Sequence, residues 1–354
     1  GNLNESKNFI NKYFSVYRKT PYTDRVGDAL SDIETTSVGC PQGSILSPLL
    51  FLIYIADVEL WIEDMTKRGY ADDTASSISS PDLDVVVGKL ESDGENMLRF
   101  MASNNLVANP SKTGLLIIRA RGSSLQAHRS LCLGGNEIEE SATHKVLGLT
   151  INNKLSWDDH ISGKGGLISA MNKKLGALRR LSFHIPSKYM ASIVKSTLVA
   201  KLRYGLGIYG SVRKLPNEPR KTIMDDLQIV LNRAMRLIVR KRVVDRVRIE
   251  ELCERTGILS VNRMTAEEHL RIIWTAKLDQ NSPLSEWFRA ISNSSTRASS
   301  RGDIFTSAIT SLATRNVPHT AITTWNFTDE SLRNPQSLQM AKTQARNFIK
   351  NLPL

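Results

Sequence analysis

The chain has 354 residues, with 47 Lys+Arg against 35 Asp+Glu, a net charge of +12 and a pI near 9.6. That length suits about two domains, and 41% apolar residues are ample for their cores. Cys40, Cys132 and Cys253 lie far apart and in no paired spacing, which excludes a disulfide framework or a zinc site and fits a reducing compartment. The longest apolar run, Leu49 to Ala56, stops at Asp57 and is too short to span a bilayer, and no signal peptide is visible. Charge is unevenly spread. Residues 1–120 hold 11 basic and 16 acidic side chains, whereas residues 171–255 hold 20 and 7. An acidic first third followed by a strongly basic middle implies a metal-bearing site and a polyanion-binding surface.

In chain order, Phe9, Ile10, Tyr13, Phe14 and Tyr17 recur at helical spacing up to Pro21. Arg25 to Ser37 reads as a short β-pair turning at Ser31-Asp32. Gly39-Cys40-Pro41-Gln42-Gly43-Ser44 then fixes an irregular backbone before a buried helix over Ile45 to Ala56, with Gly43 open to close ligand approach and Ser44 as the N-cap. Tyr70-Ala71-Asp72-Asp73 places two adjacent carboxylates on a tight turn, ahead of a run of small polar residues to Ser80. Their mutual repulsion calls for a proton, a base or a divalent cation. Magnesium, which takes carboxylate oxygens and shares its site with phosphates, suits them, although such a pair standing alone also reads as a solvated acidic turn.

Leu83 to Leu106 reads as an amphipathic helix with Val86, Leu90, Met97, Phe100 and Met101 inward. Asn109-Pro110-Ser111-Lys112-Thr113 turns into an apolar strand over Leu115 to Ile118, and His144 to Ile151 reads as another strand. From Ile161 the period becomes helical. Three stripes follow, headed by Ile168, Met190 and Ile223. Arg179, Arg180, Arg233, Arg236, Arg240, Lys241 and Arg242 sit on or beside them, and their local excess favours nucleic acid over a plain solvated face. With about 6–10 of these on phosphates, affinity would fall about 10³–10⁵-fold between 50 and 200 mM salt. Ser292 to Arg301 reads as a linker, and Leu338 to Phe348 as a terminal helix.

Four of these pieces, in this order, resemble the reverse transcriptase domain of non-LTR (LINE-type) retrotransposons. Val38 to Leu49 resembles the second palm motif, and Tyr70-Ala71-Asp72-Asp73 the catalytic hairpin. Asn109 to Thr113 is similar to the motif whose lysine lies near the triphosphate. Val146-Leu147-Gly148-Leu149, running on to Trp157 and His160, is similar to the primer grip and the stretch after it. Leu202-Arg203-Tyr204-Gly205 and Leu227 to Arg236 are similar to the family's thumb.

The resemblance implies an α+β right-hand polymerase: a partial palm over 1–158, a basic helical thumb over 159–256, and a C-terminal extension over 257–354. It implies RNA-directed DNA synthesis, with magnesium ions (or manganese) held by Asp72 and Asp73, and Lys112 donating a proton to pyrophosphate. Pro41, Gln42, Gly43 and Tyr70 would lie at template and substrate, and Leu147, Gly148 and Leu149 at the primer. RNA template, DNA primer and deoxynucleotide are the expected partners, with an upstream endonuclease and no membrane. A nuclear site of synthesis with a cytoplasmic ribonucleoprotein stage would follow.

The chain departs from the pattern in one respect. The family's earlier strand with a third aspartate has no match in residues 1–40, so the chain reads as an N-terminally truncated fragment, inactive by itself. The alternative reading is a retrotransposon relic that only binds nucleic acid. A splicing-type or telomerase-like relative is disfavoured by the stretch around Trp157 and His160.

Overall fold

The computed structural model describes residues 21–23, 25–35, 43–119, 128–212 and 223–279, with scattered positions from 281 to 352. The helix expected near Phe9, the stretch 36–42, the Ser-rich run and most of the terminal helix lie outside the described residues. The chain divides into two units, Gly1–Leu147 and Gly148–Leu354.

The first unit mixes helix and hairpin. Its described chain opens with two nested two-residue ladders, Pro21–Tyr22 with Glu34–Thr35 and Arg25–Val26 with Ala29–Leu30. The inner turn therefore lies at Gly27-Asp28, not at Ser31-Asp32, because Gly27 adopts a φ of 63° that other residues resist. Helix α1 (Ser47–Ile55) starts three residues after Ser44, with Leu46 at its cap and Pro48 in the first turn, so Ser44 is not the N-cap. It is not a buried helix either. Leu50 is buried, but Ile45, Leu49 and Leu52 are exposed.

Strands β1 (Thr66–Tyr70) and β2 (Asp73–Ser77) form an antiparallel hairpin. Helix α2 (Leu83–Ser103) is capped by the Asp82 carboxylate, which accepts from the Asp84 amide at 2.9 Å. Of the inward set expected for it, Phe100 is buried, meeting Trp61 edge-on at 5.9 Å, while Val86, Leu90, Met97 and Met101 are half-buried. Strands β3 (Ser130–Leu133) and β4 (Asn136–Glu139) pack Leu131 and Ile138 beneath the same helix, with Leu83, Leu115 and Ile117. Gly94 makes room for this: a Cβ there would sit 2.4 Å from the Leu133 side chain.

The expected strand over Leu115 to Ile118 is reduced to one bridge between Leu115 and Glu140, anchored by the Arg119–Glu140 ion pair. The expected strand over His144 to Ile151 is broken into β5 (Thr143–Val146) and β6 (Leu149–Asn152). The break is a backbone reversal, with φ of 47° at Leu147 and 84° at Gly148.

The second unit is helical after β6. A short turn (Asp158–Ile161) leads to α3 (Leu167–Leu181). Helix α4 (Ser187–Val194) continues through a π turn (Lys195–Val199) to Arg203. Helices α5 (Ile223–Ile238), α6 (Ile249–Thr256) and α7 (Val261–Leu278) follow. Met171, Leu175, Val194, Leu198, Leu227 and Leu231 fill one core, in the stripes that the period anticipates. Leu149 and Ile161 belong to that core, which is why β6 and the turn after it go with the helices. A second cluster joins Ala266, Leu270 and Trp274 of α7 to Ile322, Trp325 and Ile349. Among the described residues no helix is long and apolar enough to cross a membrane.

Candidate active site

The β1–β2 register pairs Tyr70 with Asp73, leaving Ala71 and Asp72 as a two-residue turn. Such turns need left-handed backbone to match the twist of the strands, and Ala71 supplies it with a φ of 53°. A Cβ in that region costs about 1–2 kcal/mol that glycine avoids, so the turn is held under modest strain. Asp72 and Asp73 are both exposed at the tip, beside an exposed Tyr70. Alternation along the strands puts Arg68, Tyr70, Asp73 and Ala75 on one face.

Nearly every residue of this ribbon is exposed, so it is fixed at its base. There the Asp93 carboxylate, on α2 and 2% exposed, accepts three backbone N–H groups: Glu63 at 3.1 Å, Asp64 at 2.8 Å and Met65 at 2.8 Å. Burial alone would raise the Asp93 pKa, but the three amides and nearby Lys89 outweigh it and hold the carboxyl below the ordinary range. Lys89, one helical turn earlier, also pairs with Asp64. On another side of α2, Glu91 accepts from the Cys132 amide at 2.8 Å and Glu95 from the Gly134 amide. Asp93 has no signal in the sequence, where it reads as one more helical carboxylate.

Other expected site residues are scattered. Lys112 is exposed at the end of a turn (Pro110–Lys112), where Asn109 accepts from the Ser111 amide and hydroxyl at 3.1 and 2.7 Å. It shares no element with Asp72 and Asp73. Gly43 has a φ of 84° and open space around it, whereas Pro41 and Gln42 lie outside the described residues. Leu147 is exposed at the end of the first unit. In the second, Leu149 is buried and Gly148 lies against the Tyr204 ring, 3.3 Å from where its Cβ would be.

The basic residues do not form one uniform row. Arg179, Arg180, Arg233, Lys241 and Arg242 are exposed. Arg236 is half-buried, with a guanidinium donating to the Val247 carbonyl at 3.4 Å, and Arg240 donates to the Ile185 carbonyl at 3.2 Å. Both brace loops. Arg240 also takes the left-handed position (φ 54°) that ends α5, with the Lys241 amide bonded to the Arg236 carbonyl at 3.0 Å.

Two adjacent carboxylates fit a magnesium ion, which proteins ordinarily hold by one or two carboxylates together with substrate phosphates and water. Among the described residues no group of three His, Cys, Asp or Glu could hold a metal unaided.

Residues 4–151 match the family model for reverse transcriptase (RNA-dependent DNA polymerase), and this segment is a reverse transcriptase domain. Such a domain implies a polymerase palm-type fold, in keeping with the mixture of helix and sheet here. The chain is also 28% identical over 197 residues to the RNA-directed DNA polymerase from mobile element jockey of Drosophila melanogaster. The alignment covers 52% of this chain and 20% of that protein, so the chain spans about a fifth of the curated relative it matches. No solved structure matches the chain significantly.

Proposed function

We propose that this chain is part of an RNA-directed DNA polymerase of a non-LTR retrotransposon, which extends a DNA primer on an RNA template from deoxynucleotides. The observation that carries the reading is the exposed two-residue turn presenting Asp72 and Asp73, within a segment that matches the reverse transcriptase family. Reverse transcriptases use divalent metal ions. Magnesium held by Asp72 and Asp73 would neutralise charge on the attacking and leaving oxygens of nucleotidyl transfer.

The chain's own residues do the rest. Asp72, at the apex, offers its carboxylate outward, while Asp73 sits on the face shared with Tyr70, which stacks near the primer end. Gly43, together with Pro41 and Gln42, shapes the backbone at the template. Lys112, presented by its Asn109-braced turn, donates a proton to the departing pyrophosphate, a role worth about 10²–10⁴-fold. The reversal at Leu147, Gly148 and Leu149 steadies the primer backbone. Arg179, Arg180, Arg233, Lys241 and Arg242 hold phosphates. Synthesis at a nuclear target, after a cytoplasmic ribonucleoprotein stage, goes with this reading.

Primer extension on an RNA template by the protein carrying this chain tests it. Asp72→Asn should lower extension at least about 10³-fold, or about 4 kcal/mol, while leaving primer-template affinity within twofold. Extension that survives the substitution would remove the hairpin from the chemistry. An equal loss of binding would make Asp72 structural.

A further inference from the structure

We infer that the α3–α4 connection, with the turn that follows α5, is a stacking platform for single-stranded RNA. The occupant rests on the reading above, since RNA-templated synthesis supplies an unread, single-stranded RNA. Three large apolar side chains stand in solvent along the connection: Leu181 (51% exposed), Phe183 (88%) and Tyr189 (60%). Isolated exposed apolar residues are ordinary, but these alternate with exposed Arg179, Arg180 and Lys188. The Arg240 guanidinium bonds the Ile185 carbonyl at 3.2 Å and so joins the turn after α5 to the same patch.

Charge selects the partner. From His160 to Asn217 there are 11 Lys and Arg and no Asp or Glu. In the adjoining turn, Arg240, Lys241, Arg242, Arg246 and Arg248 face a single acid, Asp245, whose carboxylate accepts the Arg242 amide at 2.6 Å. Helix ends favour basic residues on their own account, but that would leave Phe183 and Tyr189 without a role. An apolar protein partner would leave the uncompensated positive charge without one.

Exposed aromatic rings set among cations match unpaired nucleotides, whose bases stack on the rings while their phosphates meet the cations. A duplex buries its base faces and can use only the cations. The platform is therefore selective for single strands, and its selectivity resides in Phe183 and Tyr189.

The test is fluorescence anisotropy on the 354-residue chain, with a labelled 12-nucleotide oligo(A) RNA and a 12-base-pair RNA–DNA hybrid as probes. Phe183→Ala and Tyr189→Ala should each weaken single-strand binding by about 5- to 150-fold and leave hybrid binding within twofold. Phe183→Trp should restore it. Arg179→Ala with Arg180→Ala should instead weaken both probes and flatten the salt dependence for the RNA by about 1.4 in log–log slope. Because both rings lie in solvent, these variants leave the core intact, and unchanged circular dichroism verifies this.

The inference is overturned if the aromatic variants bind the single strand as wild type does. It is equally overturned if they lose both probes alike, or if the wild-type chain binds no single strand. None of these readings involves nucleotide addition, so binding as described here, together with no primer extension by the protein that carries this chain, would count against the polymerase reading alone.

Discussion

Replacing Asp93 tests how the β1–β2 hairpin is held. In Asp93→Asn the remaining carbonyl oxygen can keep the Asp64 and Met65 amides, while its NH₂ group meets the Glu63 amide donor to donor. Glu63 is exposed, so its freed amide turns to water, and the loss there is about 1 kcal/mol. Removing the charge weakens the other two bonds by roughly half, adding about 1–2 kcal/mol. The sum is about 2–3 kcal/mol. Asp93→Leu loses all three bonds and strands the buried Met65 amide, for about 4–6 kcal/mol, which approaches the total stability of many domains.

Hydrogen exchange read by mass spectrometry resolves the two units. Amides of residues 63–77 should exchange about 30- to 150-fold faster in Asp93→Asn, while those of α3 stay as in the wild type. Unchanged exchange at 63–77 would refute the clamp, and equal acceleration in α3 would refute its local character. The pH dependence has a definite sign. A carboxyl whose folded pKa lies below its unfolded value stabilises fully above the ordinary carboxylate range and loses that contribution as pH falls through the folded value. Wild-type protection at 63–77 should therefore persist at pH 5 and fail only in stronger acid.

The strained turn gives a second prediction. Ala71→Gly relieves the left-handed Cβ, so ladder amides of β1 and β2 should exchange up to about fivefold more slowly, and faster exchange would mean that Ala71 is unstrained. His269 gives a third. It is buried on α7 with Nδ1 2.8 Å from the Thr324 hydroxyl, and burial pushes its pKa from 6.5 down to about 4. Between those values the unfolded chain takes up a proton that the folded one refuses, so stability should fall as pH drops from 6.5 to 4, by about 3 kcal/mol. Urea midpoints across that window should flatten in His269→Gln, and an unchanged slope would assign the pH dependence to other groups.

The sequence discloses what local chemistry decides and hides what distant contacts decide. The stripes of α3 and α5 are legible because a helical period survives any tertiary arrangement. The Asp-Asp turn is legible because a small residue and two turn-formers follow an aromatic. Asp93 is hidden, because its three partners lie about 30 residues earlier and its neighbours Glu91 and Glu95 look equally solvated. The reversal at Leu147 is hidden too, since leucine is ill-suited to a positive φ and only Gly148 hints at a break. The first turn was available in Gly27-Asp28, a stronger signal than Ser31-Asp32. Arg236 and Arg240 show the limit of charge counting: position places them among the basic residues, but hydrogen bonding commits them to loops.

The base-held ribbon has a mechanical consequence. Five residues per strand make an arm about 17 Å long, at roughly 3.4 Å per residue. A tilt of about 10° at its root would swing Asp72 through about 3 Å, whereas catalytic groups tolerate misplacement of no more than about 1 Å. Precision at the tip is thus set by stiffness at the root. Because α2 holds the ribbon's base through Asp93 and the β3–β4 hairpin through Glu91 and Glu95, one helix anchors both hairpins, and the reach of the ribbon makes the position of Asp72 depend on that anchorage.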